Sequence, residues 1–223
     1  MNLKKAKTPF RFVTQMALTE ITTRKARNLE ELLRHLKEVP SSTIYHHTHR
    51  FLVQHQFLSP EPPNDFAYWV GAALQDDALA EKLAAIDTVR YSTIRELRDR
   101  IVQTIEKHLA GHQNHRDVVP GEEFAFMRSL SFVTPTPYEV WDLAEFAEAL
   151  NKVSIYSLYH HMFEARIRLS SGVNDFSKWL AESLAEMELS KLISKMDPYT
   201  QTLEGLRKKI IGLLEKRLAE IRS

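Results

Sequence analysis

Residues 42–52 read Ser42-Thr43-Ile44-Tyr45-His46-His47-Thr48-His49-Arg50-Phe51-Leu52, and its Tyr-His-His returns as Tyr159-His160-His161. Working outward, the recurrence extends through most of the chain. Phe10 and Phe12 match Phe124 and Phe126. Leu29, Glu31, Leu36 and Val39 match Leu143, Glu145, Leu150 and Val153. Asn64-Asp65-Phe66 and Trp69 match Asn174-Asp175-Phe176 and Trp179, and Asp87 matches Asp197. Leu97-Arg98, Ile101, Glu106-Lys107 and Leu109 match Leu206-Arg207, Ile210, Glu215-Lys216 and Leu218. The order is the same in both series, and the small gaps fall in turn-like places. Such self-similarity over a unit too long for a solenoid reads as two copies of one subdomain. The copies span 8–110 and 123–223, joined by a linker at 111–122.

Each copy predicts about four helices, as in a bundle. In the first, Asn28 is placed to cap a helix over 29–39, as Asp142 is in the second. The next helix follows Pro40 and carries Ile44, His47 and Phe51 on one stripe, with His46 turned elsewhere. Asn64-Asp65 opens a third helix that breaks near Asp76-Asp77. Thr93-x-x-Glu96 has capping-box spacing for a fourth. Ahead of these, Phe10 and Phe12 alternate as a short β-strand would, with a helix as the alternative. The strands of the two copies are expected to pair. The fold expected is therefore mainly α: two tandem homologous helical subdomains, each opening with a short strand, packed with pseudo-twofold symmetry.

Composition narrows the chemistry. The 223 residues include 6 Gly and no Cys. No G-x-G or G-x-x-x-x-G-K-[ST] loop is present, so the familiar phosphate cradles are absent. Without Cys there are no disulfides, thiolate metal sites or thiol nucleophiles. No apolar run has membrane-spanning length, and the basic N-terminus lacks the apolar stretch of a secretory signal. A cytoplasmic location is expected. Residues 1–60 carry ten Lys/Arg against four Asp/Glu, a basic stretch read as a solvated tail and loop, with a contact to phosphate or an acidic partner as the sharper alternative. The balance is too weak for a dedicated nucleic-acid binder.

The polar positions shared by the copies are the candidate site. For ligand binding they are Tyr45, His46, His47, Asp65, Trp69, Tyr159, His160, His161, Asp175 and Trp179. A core-facing His needs a hydrogen-bond partner, and Asp65 at the next helix start is the natural one for His47. That structural pairing is one reading. The other is a divalent transition-metal site built from His46, His47, His160, His161, Asp65 and Asp175. His49 and His55 have no His counterpart in the second copy, and Glu164 has Arg50 as its counterpart. Trp69 and Trp179 read as core, with ligand stacking as the alternative. Asp87 and Asp197 read as turn residues. Arg98 and Arg207 read as exposed or paired with a carboxylate such as Glu31 or Glu145, with a phosphate contact as the sharper alternative. His108, His112 and His115 read as a solvated linker. No nucleophilic or paired-carboxylate constellation is recognisable by spacing.

Through Phe10-x-Phe12, Leu29-Glu30-Glu31-Leu32-Leu33 and the residues 42–52 quoted above, the chain resembles a prokaryotic family known only as a domain of unknown function. The resemblance covers both copies and implies no activity, cofactor or catalytic residue. Met162, Phe163 and Glu164 depart from the first-copy pattern. The function expected is a non-catalytic helical binding or regulatory module, its protein partner or small ligand held in the groove between the duplicated halves. The alternatives are a His/Asp metal-dependent hydrolase and a purely structural scaffold.

Overall fold

In the computed structural model, residues 3–49, 64–111, 116–165, 173–196 and 202–222 are described. Two strands, β1 (Phe10–Ala26) and β2 (Phe124–Val140), are each 17 residues long. They form a two-stranded sheet. The pairing is antiparallel: the Thr22 hydroxyl donates to the Phe126 carbonyl, and the Thr136 hydroxyl to the Phe12 carbonyl. Arg128 pairs with Glu20 and Arg11 with Glu139 along the same ribbon. Both strands are edges, so Pro135 and Pro137 are tolerated within β2.

After β1 come α1 (Leu29–Glu38), α2 (Ser41–His49), α3 (Asp65–Ala72), α4 (Asp77–Ala84) and α5 (Ile94–Gly111). After β2 come α6 (Leu143–Lys152), α7 (Ile155–Tyr159), α8 (Asp175–Glu182), α9 (Met187–Ser194) and α10 (Leu203–Arg222). A π-helical turn, His160–Glu164, continues α7.

Local chemistry sets the helix starts. The Asn28 side chain accepts from the Glu31 N–H, and the Asp142 side chain from the Ala144 and Glu145 N–H groups. Asn64 and Asn174 cap α3 and α8 in the same way. Thr93 and Glu96 exchange the reciprocal bonds of a capping box at the start of α5. Between α3 and α4, Gln75 takes the left-handed conformation (φ 55°), and Asp76 then caps α4.

The chain divides into two compact units, and the division does not follow the sequence copies. Unit one holds the described residues between Ala17 and Leu130, with α1–α5. Unit two holds the N-terminal segment through Met16 together with Ser131 onward, with α6–α10. Each strand thus gives one half to each unit. In unit one, Phe124 and Phe126 join Leu32, Leu36, Ile44, Phe66, Leu83, Leu97 and Ile101 in a single apolar core. In unit two, Phe10 packs edge-on against Phe146, Phe176 and Trp179, while Phe12 stacks on Phe146. The phenylalanines that open one copy are buried with the helices of the other.

The expected fold class is therefore corrected. The protein is α+β, with a long two-stranded ribbon where short opening strands were expected, and each compact unit takes strand halves from both sequence copies rather than being a tandem helical subdomain. The reason is physical: an isolated half-strand leaves its backbone unsatisfied, and pairing along the full 17 residues satisfies it.

Candidate functional site: two His–Asp pairs

In unit one, α2 places His47 in the core, 1% exposed, against Phe66 and Phe124. Its Nδ1 lies 2.8 Å from Asp65 Oδ2 at the start of α3. Its Nε2 accepts the Met127 backbone N–H from β2 at 2.9 Å. A ring that accepts at Nε2 carries its proton on Nδ1 and donates it to the carboxylate, which fixes the neutral tautomer. In unit two, His161 is held likewise. Its Nδ1 meets Asp175 Oδ2 at 2.9 Å, and its Nε2 accepts the Val13 N–H from β1 at 2.9 Å. Each ring ties together a helix, the first residue of the next described helix and a strand.

The neighbouring histidines are also buried, at 4% exposure each. His46 Nδ1 lies 2.9 Å from Ser129 Oγ on β2. His160 Nδ1 lies 2.8 Å from Gln15 Oε1 on β1 and 3.1 Å from Glu164 Oε2. The expectation that His46 turns away from the core is corrected. Residue 129 lies far along the chain, and its strand covers the second face of α2.

Trp69 and Trp179 are core residues with a polar tether: their indole N–H groups donate to the Glu122 and Thr8 carbonyls. Tyr159 is buried and packs against Phe163, whereas Tyr45 is half-buried and stacks on His49. Of the paired carboxylates, the Asp65 side chain is 44% exposed and that of Asp175 is 19% exposed.

Arg98 donates to the Val39 carbonyl, and Arg207 to the Leu150 and Val153 carbonyls. These are orphan acceptors at the C-terminal ends of α1 and α6. Arg207 also pairs with a carboxylate, that of Glu204, but neither arginine pairs with Glu31 or Glu145. Glu31 instead binds Arg27 and Glu145 binds Lys5. His108 is corrected as well: it lies inside α5, 4% exposed, with Nε2 2.6 Å from Asp76. His55, His112, His115 and Asp197, along with Arg50 and Phe51, lie outside the described residues.

For a metal, the best geometry among the described residues is His160, His161 and Asp175, whose ligand atoms all lie within 4.8 Å of one another. The fit is poor in one respect. Both nitrogens of His161 are already bonded, so coordination would break the Asp175 contact or release the Val13 N–H. No helix among the described residues is long and apolar enough to cross a membrane.

A ribbon shared by two helical units, each holding a buried histidine bonded to an aspartate, defines the class. The chain belongs to a family of unknown function, DUF5752, whose sequence model matches residues 7–215. Among solved structures it is similar to OrfY from Thermoproteus tenax, at 30% identity and a TM-score of 0.81. The match covers 96% of this chain and 98% of that one. No curated protein matches the chain.

Proposed function

We propose that the protein is a non-catalytic binding or regulatory module in which the duplicated Tyr-His-His and Asn-Asp-Phe-x-x-Trp elements build the scaffold. One observation carries this reading: both ring nitrogens of His47 and of His161 are consumed by a carboxylate and a strand N–H. A general base or a metal ligand needs a nitrogen to spare, and these rings have none. The exposed apolar side chains of unit two, among them Phe132, Val133 and Tyr156, support a partner-binding role.

The cluster of His160, His161 and Asp175 favours a second reading, a divalent metal site serving a hydrolase. One experiment separates the two. Metal-stripped protein is titrated with Zn²⁺, Mn²⁺ and Ni²⁺ while Tm is followed, since a ligand specific for the native state raises it. The module reading expects no stoichiometric uptake and no rise. A rise that disappears in His160→Gln would replace it with the metal reading.

A further inference from the structure

Unit one contains a cavity of about 390 Å³ between α4 and α5, lined by Lys82, Ala85, Arg100, Thr104, Lys107 and His108. On α5, positions 100, 104, 107 and 108 recur at helical spacing and share one face. α4 and its C-cap supply Lys82 and Ala85 opposite. Among the described residues, Lys82, Arg100 and Lys107 have no carboxylate within ion-pairing distance. The nearby acids are engaged elsewhere: Glu106 pairs with Lys37, while Asp76 holds His108 and caps α4.

Three cations with no ion-pair partner among the described residues border one concavity whose own walls are mainly apolar, and that arrangement favours the anionic group of a partly apolar molecule. A guanidinium fork beside two ammonium groups suits phosphate oxygens. The volume exceeds what a bare phosphate fills and lies in the range of small-molecule sites, roughly 300–1,000 Å³. The second copy keeps cations at two of these places, Lys209 for Arg100 and Lys216 for Lys107, and has Lys195 for Ala85, but Leu192 stands for Lys82 and Leu213 for Thr104. There Arg217, aligned with His108, is itself tied to Glu186 and Glu220.

We infer that the α4–α5 cleft binds a phosphorylated small molecule, its phosphate held by Lys82, Arg100 and Lys107. This gives the binding-module reading a ligand class at a place apart from the His–Asp pairs. The full chain is titrated calorimetrically with inorganic pyrophosphate, at an ionic strength held constant with chloride. Saturable one-site binding is expected, weakened at least about tenfold in Arg100→Gln/Lys107→Gln, since two charge-assisted contacts are lost. Both side chains are exposed, so that variant should keep the parent circular dichroism spectrum and Tm without ligand. Lys209→Gln/Lys216→Gln, altered at the aligned positions of the second copy, should bind as the parent does. Absence of saturable binding, equal weakening in both variants, or a response to single-stranded oligonucleotide but not to pyrophosphate would overturn the inference. Metal uptake at His160 would overturn the module reading alone and leave the pyrophosphate result standing.

Discussion

At His47 a single imidazole closes three segments of chain, because Asp65 and Met127 occupy its two nitrogens. Removing the ring leaves a strand N–H without its acceptor and a carboxylate without its donor, and opens a hole among Phe66, Phe124 and Phe126. His47→Ala and His161→Ala are each expected to cost about 2–4 kcal/mol in urea unfolding. A loss below about 0.5 kcal/mol, the scatter of an ordinary surface change, would mean that the brace is dispensable. The His–Asp contact itself was legible, since the stripe Ile44, His47 and the helix start at Asp65 lie close in sequence. The second contact was not, because residue 127 enters from a distant strand. The partnership of His108 with Asp76 carries a signal in the repeat. The second copy places Arg217 and Glu186 at the aligned positions, and they too are bonded. A base facing an acid in both copies is a better guide than a count of histidines.

The entry to α1 shows how an element start responds to pH. The Glu31 carboxylate binds the Arg27 guanidinium and the Arg27 backbone N–H, and these hold its pKa at about 2, below its ordinary 4.5. Between those values the unfolded chain binds the proton and the native chain does not, so stability rises with pH through that window. The contribution is complete above about 4.5 and is lost as pH falls through about 2. Urea midpoints should therefore drop between pH 5 and pH 3 more steeply in the parent than in Glu31→Gln; parallel curves would contradict this. Glu145, held low by Lys5 and the Trp141 N–H, adds to the slope in the same direction. The helix starts were legible because capping is local: Asn28, Asn64, Thr93 and Asp142 lie within three residues of the N–H groups they bind. Strand length was not. Beyond Phe12, β1 is half-exposed and Thr-rich, and β2 carries two prolines, so alternation fades although the ribbon persists.

For the molecule as a whole, the division of the chain makes a test that the repeat alone would have misdirected. The sequence copies suggest cutting out residues 8–110. That fragment lacks Phe124, Phe126 and the Met127 N–H, which complete the core of unit one. Residues 17–130 include them all. The longer fragment is expected to unfold cooperatively by circular dichroism, whereas 8–110 should lack a cooperative transition. The opposite result would show that the strand halves contribute little. Sequence could not assign the strands, because Phe-x-Phe is the same in both copies and would suit either set of helices. What decides is where the chain can reach, which similarity does not encode.

That exchange of half-strands also orders events while the chain is being made. The first sixteen residues leave the ribosome with no helix of their own unit yet in existence, and they must wait until all of residues 17–130 have been added. At about 5–20 residues per second the delay is on the order of ten seconds. Throughout it Phe10 and Phe12 are exposed as an unclaimed apolar end. Unit one is complete once residue 130 has emerged, and unit two closes only after its last helix. A nascent chain stalled between those points would carry one finished unit and one unclaimed apolar segment, the kind of intermediate that holding chaperones retain.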